Sequence, residues 1–218
     1  MKRALRLGIT GKIASGKTLL SQWLREQNIT VLDADTIAKE VMENNSEVRS
    51  ELIALFSEAI YTNGKLDTKY LAGELFNNNE KRIAVEEIVH PLVLNEFDVA
   101  FEQAPAGSVV GVESALMFQT GFDDDFDIVI LVTASDEQII ERNNVSKRFS
   151  ETDLRTRLAI QGFSQEMDDW ADFVIENNST TEEFIARAST IIEIVKIIAM
   201  GDLPEEPMRV FEEENDPQ

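Results

Sequence analysis

A glycine-rich segment near the start of the chain has the residue types and spacing of a phosphate-binding loop. Within residues 8–18 the chain fills the pattern G-x-x-x-x-G-K-[ST]. Glycine lets backbone N–H groups turn inward around a β-phosphate, the lysine reaches the β- and γ-phosphates, and the hydroxyl coordinates Mg²⁺. The alternative is a glycine-containing turn that matches by chance. The residues expected to bind nucleotide are Gly11, Lys12, Ile13, Ala14, Ser15, Gly16, Lys17, Thr18 and Leu19, with Mg²⁺ at Thr18.

The flanking residues predict the strand and helix that such a loop needs. Upstream, apolar residues alternate as in a β-strand, whereas downstream they recur at helical spacing. The helix would direct its positive N-terminal end at the phosphates. The strand residues are Leu5, Leu7 and Ile9, and the helix residues are Leu19, Leu20, Trp23 and Leu24.

Two acidic residues, Asp33 and Asp35, end a second predicted strand over residues 29–35. Ligands of open α/β sheets bind beyond the carboxyl ends of the strands, so both acids are expected near the phosphate loop. In an extended backbone they would face the same side. One carboxylate could accept a proton from a substrate hydroxyl, or orient it. The alternative is a helix N-cap, which the pattern favours for Asp35, leaving Asp33 as the chemical candidate.

Residues 36–102 read as helical throughout and are too long for a simple crossover between parallel strands. We expect a helical insertion that forms the wall of the acceptor site. It contains His90, the only histidine, directly before Pro91. Both a structural role and a role in binding the acceptor stay open for this side chain.

Later segments add three polar candidates, two at the ends of predicted strands and one on a helix. Glu113 ends the third strand and could lie near Mg²⁺ or its waters, or be a rim carboxylate. A helix then carries Arg142 into a basic segment, residues 142–150, expected to be a lid that closes over phosphates. Asn177 follows the fifth strand, where an adenine could be held by polar contacts.

Composition limits the class of protein. The chain has 218 residues, a net charge of −21, 43% hydrophobic residues and no cysteine. Such an acidic surface argues against nucleic acid or an anionic membrane as a partner, and disulfides are excluded. No apolar run approaches the ~20 residues of a membrane span, and no signal peptide is expected. We expect a cytoplasmic enzyme, a monomer or weak homo-oligomer, with an acidic tail at residues 201–218.

The ordered motifs resemble the dephospho-CoA kinase family of P-loop kinases, over residues 5–198. The phosphate loop alone is unspecific, but further motifs follow it in the family's order. They are Asp33-Ala34-Asp35, Leu66-Asp67, Ile88 with His90-Pro91, the run Glu113 to Phe118, Gln138 to Arg142, Gln161, Ala171-Asp172, Val174-Ile175 and Asn177.

The resemblance implies an α/β P-loop NTPase fold: a single three-layer α/β/α domain over residues 1–200, with a five-stranded parallel sheet in the order 2-3-1-4-5. It implies that ATP phosphorylates the ribose 3′-hydroxyl of dephospho-CoA, with Asp33 as the base and Lys17 on the β- and γ-phosphates. Arg142 and Asn177 would contact ATP. The acceptor side would comprise Thr10, Asp33, Asp35, His90 and Glu113.

Some positions depart from the family pattern. Lys12 and Ala14 stand where glycine is usual, and a positive φ would make Ala14 costly. Lys12 could itself replace a missing phosphate-binding cation. Usual cations are absent at Thr68, Ser146, Met167 and Asp168. Two other functions therefore stay open: a kinase for another nucleoside or small hydroxyl compound, and a degenerate protein that binds nucleotide without turnover.

Overall fold

The computed structural model describes residues 3–76, 78–147, 149–162 and 166–201. Arg148, expected in the lid, and nearly all of the predicted acidic tail, residues 202–218, lie outside these ranges. Contacts divide the chain into one unit of residues 1–31 and 101–218 and a second unit of residues 32–100. Within the described ranges, no helix combines the length and apolar character needed to cross a membrane.

A five-stranded parallel sheet organises the chain. Its strands are β1 (Leu5–Gly11), β2 (Thr30–Asp33), β5 (Val109–Glu113), β6 (Ile128–Thr133) and β7 (Phe173–Glu176). They lie in the order β2-β5-β1-β6-β7. Counted along the chain without the short strands β3 and β4, this is the order 2-3-1-4-5, which confirms the prediction.

Alternation along β1 places its large apolar side chains on one face of the sheet. Leu5, Leu7 and Ile9 are fully buried against two helices, α1 (Lys17–Glu26) and α10 (Thr181–Met200). On the opposite face there is no room for a side chain at Gly8, since an added Cβ would lie 2.7 Å from Sδ of Met117. The phosphate loop is thus supported by a strand packed on both sides.

The rest of the first unit carries short helices between the later strands. They are α6 (Met117–Thr120), a 3₁₀ turn (Phe122–Asp125), α7 (Asp136–Ser146), α8 (Glu151–Gln161) and α9 (Met167–Trp170). From the sequence, Ser135 and Gln138 form a capping box and Ser150 starts a helix, and the structure confirms both, with Ser135 as the cap of α7 and Ser150 as the cap of α8. The sequence also suggests Ser179 and Glu182 as caps of the last helix, but the cap of α10 is Thr180, because the helix begins one residue later.

The second unit is mostly helical but contains a small hairpin, so the prediction of helix throughout residues 36–102 is wrong at one point. Its helices are α2 (Ala34–Asn44), α3 (Ser46–Phe56), a 3₁₀ turn (Glu58–Ile60), α4 (Thr68–Phe76) and α5 (Asn79–Gln103), the last of which runs on to residue 103. Between them, β3 (Tyr61–Thr62) pairs with β4 (Lys65–Leu66) around a turn at Asn63 and Gly64. The Tyr61 hydroxyl donates to Met42 O at 2.7 Å, which ties the hairpin to α2.

Candidate functional site

Two glycines give the phosphate loop its shape. Gly11 has φ +146° and Gly16 has φ +115°, values that residues with a Cβ rarely adopt. An added Cβ would lie 2.1 Å from Val132 O at Gly11 and 2.2 Å from Nδ2 of Asn177 at Gly16. The backbone therefore requires glycine at both positions of the pattern. The loop connects β1 to α1, so the predicted strand and helix are confirmed.

Lys17 is held over its own loop. Its side chain is buried, and Nζ donates to Gly11 O at 2.8 Å and to Lys12 O at 3.0 Å. These carbonyls fix the ammonium group beside the N-terminus of α1, where the helix dipole also favours an anion. The arrangement suits a phosphate chain that lies across the loop.

A hydroxyl and a carboxylate meet at the edge of the loop. Thr18 Oγ1 donates to Glu113 Oε1 at 2.9 Å. Glu113 is buried at the end of β5, and its second oxygen, Oε2, has no hydrogen-bond partner. Hydroxyl and carboxylate oxygens are the ligands that Mg²⁺ prefers, usually together with substrate phosphates. These residues therefore fit a magnesium ion, although the described residues contain no group of three acidic or histidine side chains that could hold a metal by themselves.

Arg142 and Asn177 both donate hydrogen bonds to the loop carbonyl of Ser15. Asn177 Nδ2 donates to Ser15 O at 2.8 Å, and Arg142 Nη1 donates to the same carbonyl at 3.3 Å. Arg142 Nη2 also donates to Asn177 O at 2.6 Å and to its Oδ1 at 3.0 Å. Burial lowers the pKa of Arg142 from its ordinary value. In this structure both side chains hold the loop in place.

An open cleft of about 650 Å³ lies beside Arg142. Its walls are α7, which contributes Arg142, and the segment of residues 178–183 after β7. Asn178 Oδ1 accepts a hydrogen bond from Ser135 N at 2.7 Å and so fixes the start of α7 against that segment. Arg142 lines the cleft and also donates a hydrogen bond to the loop, so the cleft and the loop form one continuous surface.

The unusual loop residues have distinct surroundings. Lys12 Nζ forms an ion pair with Oδ1 of Asp136, the first residue of α7, at 3.3 Å. Ala14 has φ +60°, so this departure from glycine is the costly one. Among the other departures, Met167 is buried as an apolar residue of α9.

The predicted acceptor residues are distributed over both units. In the first, Thr10 is buried in β1 and its hydroxyl makes no hydrogen bond. In the second, Asp33 is the N-cap of α2, with Oδ1 accepting from Thr36 N at 2.8 Å. The assignment of the cap to Asp35 is therefore wrong. Since α2 begins at Ala34, residues 33–35 are not extended, and the two acids do not share a side as the extended spacing predicted.

His90 lies within the continuous helix α5, one residue before Pro91, which the helix includes. Burial lowers the pKa of His90 from its ordinary value, and the Glu86 carboxylate opposes this shift. Sequence reasoning gave no role to Gln161, whose buried amide accepts a hydrogen bond from the phosphate loop. Its place in the ordered motifs was the only signal.

Comparisons with known proteins agree on one family. Residues 5–183 match the family model described as CoaE, dephospho-CoA kinase. A dephospho-CoA kinase of Fusobacterium nucleatum is 34% identical over 194 residues, covering 87% of this chain and 97% of that protein.

Two solved structures are similar to this chain in fold. The crystal structure of TT1252 from Thermus thermophilus has a TM-score of 0.78 at 31% identity, covering 89% of this chain and 98% of that one. Dephospho-CoA kinase from Campylobacter jejuni has a TM-score of 0.64 at 23% identity, covering 88% and 97%, and shares the fold.

Proposed function

Because the chain belongs to the dephospho-CoA kinase family, we propose that it transfers the γ-phosphoryl group of ATP to the ribose 3′-hydroxyl of dephospho-CoA, giving coenzyme A and ADP. The observation that carries the proposal is the set of groups gathered around the phosphate loop. There, glycine-shaped backbone, the ammonium group of Lys17 and the Thr18–Glu113 pair lie together. Phosphoryl transfer depends mainly on positioning and on stabilising charge, which these groups supply.

The loop amides and Lys17 are assigned to the β- and γ-phosphates. Nζ of Lys17 already lies against the loop carbonyls of Gly11 and Lys12, so little side-chain freedom is lost when the phosphates arrive. The ammonium group would stabilise charge on the transferred phosphoryl group. Lys12 is assigned as a further cation. Its ammonium group, which now pairs with Asp136, would pair with a phosphate when ATP binds.

Thr18 and Glu113 are assigned to Mg²⁺. The unpartnered Oε2 of Glu113 and the Thr18 hydroxyl are the oxygen atoms that would hold the ion or its waters. When bound, Mg²⁺ would neutralise charge that develops on the phosphates during transfer. Glu113 keeps Thr18 in place through its other oxygen.

The cleft beside the loop is assigned to the adenine. Its walls offer the Arg142 guanidinium, on which a base could stack, and polar groups of residues 178–181. Arg142 also donates to Ser15 O, so it would join the base site to the phosphate site. Asn177 would support this arrangement through the loop carbonyl.

The acceptor hydroxyl is assigned to Asp33, which ends β2 of the central sheet. A carboxylate has two oxygens, and Oδ1 is the cap of α2, so Oδ2 is the oxygen that would accept the hydroxyl proton. Thr10, Asp35 and His90 are assigned to acceptor binding. The mostly helical residues 36–102 would form the acceptor-binding insertion.

The test is a panel of acceptors in an ADP-release assay with Mg-ATP. Dephospho-CoA should give ADP and coenzyme A in equal amounts, whereas other nucleosides and small hydroxyl compounds should give little ADP. Preferential use of another acceptor would assign the enzyme to that substrate instead. Tight ATP binding without transfer to any acceptor would support a degenerate nucleotide-binding protein, which the missing cations at Thr68 and Ser146 would explain.

The proposed reaction also suggests where the protein acts. It requires ATP and a small-molecule acceptor, and we propose a cytoplasmic enzyme that works as a monomer or weak homo-oligomer. The net charge of −21 disfavours nucleic acid and anionic membranes as partners. Size-exclusion chromatography with light scattering would determine the oligomeric state.

A further inference from the structure

Gln161 is a buried polar residue outside the contacts assigned above. It is the last residue of α8, and only 7% of it is exposed. Both ends of its amide are bonded. Oε1 accepts from Ile13 N at 2.7 Å, and Nε2 donates to Ala115 O at 3.4 Å. One side chain thus joins the phosphate loop to the segment that directly follows β5.

The bond to Ile13 lies beside the strained point of the loop. Ala14, the next residue, has φ +60°, a conformation that disfavours residues with a Cβ. On the other side of Ala14, the Ser15 carbonyl accepts from Asn177 and Arg142. The loop is therefore held on both sides of Ala14, by α8 before it and by the Arg142–Asn177 pair after it.

The bond to Ala115 lies two residues beyond Glu113. Because Glu113 is the carboxylate paired with Thr18, the segment that Gln161 holds is the one that positions this acid. The amide fits both partners, since its oxygen faces an N–H donor and its nitrogen faces a carbonyl. No other type of side chain of this length offers one acceptor and one donor in this way.

We propose that Gln161 is a positioning residue that fixes the tip of the phosphate loop for ATP and keeps that tip in register with the Glu113 segment. The inference rests on the proposed function, because it assigns the loop to ATP. Gln161 acts through the Ile13 amide and does not touch the nucleotide. It holds the strained Ala14 and so keeps the backbone of the loop in the shape that would receive the phosphates.

The test replaces Gln161 by a residue of similar length without hydrogen bonds, Q161M. Loss of both bonds should weaken ATP binding at least about 10-fold, measured by calorimetry, while KM for dephospho-CoA stays within about twofold. The matched control is Q119M. Gln119 Nε2 donates to the backbone oxygen of Gln161, so it contacts the same residue without contacting the loop. Q119M should leave ATP affinity within about twofold.

A second variant separates loop positioning from general support of the fold. In A14G/Q161M, glycine adopts φ +60° without strain, so the loop depends less on the lost bond. The double variant should bind ATP at least about threefold more tightly than Q161M, and this gain should exceed the change that A14G alone makes to the wild-type affinity. A residue that only supports packing would not be rescued by glycine at position 14.

Three results would overturn the inference: unchanged ATP affinity in Q161M, an equal loss in Q119M, or no recovery in A14G/Q161M. If Q161M does not fold, hydrogen exchange on the wild-type protein decides. The Ile13 amide should be protected without nucleotide, and rapid exchange there would refute the bond to Gln161. A wild-type protein that binds no ATP would instead refute the proposed function.

Discussion

The hydroxyl of Thr18 donates a 2.9 Å hydrogen bond to Oε1 of Glu113, which joins the first turn of α1 to the carboxyl end of β5. This contact brings together the two oxygen atoms proposed to bind Mg²⁺, from residues that are 95 positions apart in the chain. It also leaves the buried Oε2 of Glu113 without a partner, a costly arrangement unless a ligand satisfies that oxygen.

Replacing Glu113 by glutamine should weaken the use of Mg²⁺. An amide keeps the size of the side chain but removes the charge, so we expect kcat to fall about 10²-fold and half-saturation to require more Mg²⁺. Steady-state rates over a magnesium titration measure both effects. E193Q, at an exposed position of α10, is the control and should behave as wild type. An unchanged magnesium dependence in E113Q would remove Glu113 from the ion's site.

Lys17→Ala should abolish most phosphoryl transfer. The variant loses the cation that lies against Gly11 O and Lys12 O, so kcat/KM should fall at least about 10²-fold. The coupled ADP assay measures this loss. Lys65→Ala, which removes an exposed lysine of β4, should change the rate less than about twofold. Undiminished activity in the first variant would refute the loop assignment.

Asp33→Asn tests the proposed base. Asparagine caps helices about as well as aspartate, so α2 should stay stable while kcat falls at least about 10²-fold and ATP affinity is nearly kept. Rapid-quench measurements of the transfer step and calorimetry with ATP separate the two quantities. The neighbouring variant D35N should lose much less of kcat. Equal rates for D33N and wild type would exclude Asp33 from the chemistry.

Ala14→Gly should stabilise the protein. At φ +60° glycine avoids the steric cost that alanine bears, and we expect about 0.5–1 kcal/mol more free energy of unfolding. Urea denaturation measures the difference. The same change at Ala38, in the middle of α2, should cost about 1 kcal/mol, because glycine there only adds backbone entropy. A destabilised A14G would mean that the loop is not strained at this residue.

The lowered pKa of His90 should make the free energy of unfolding depend on pH. Burial lowers the pKa of His90 below its ordinary value of 6.5, so protonation favours the unfolded chain. Its contribution to stability is present above that pH and is lost as the pH falls below it. Between about pH 7.5 and 5.5, the wild type should therefore lose more free energy of unfolding than H90Q. Denaturant titrations at both pH values make the comparison, and an equal loss would contradict a lowered pKa.

Local patterns predicted most of the sheet and the loop. The alternation of Leu5, Leu7 and Ile9 correctly indicated a buried strand, and the caps Ser135 and Ser150 were recognised from their own residue types. Each of these signals is contained within a few neighbouring residues. The strand order came from the family resemblance.

Other features had no local signal. The hairpin of Tyr61–Thr62 and Lys65–Leu66 cannot be predicted from the sequence pattern, because two-residue strands show no periodicity. The α2 cap was misassigned by two residues, since both Asp33 and Asp35 are good caps and only the end of β2 decides between them. The bond from Ile13 to Gln161 spans 148 residues, so nothing near either residue predicts it.

The close packing of Gly16 against Asn177 limits how the proposed nucleotide site could be engineered. Asn177 is 3% exposed, and its amide occupies the space where a side chain at residue 16 would lie. A larger residue at 177 would push on the loop backbone. Residue 16 is already glycine, so it could not be made smaller to compensate. Redesign for a different base is therefore better directed to the exposed wall formed by residues 178 and 180.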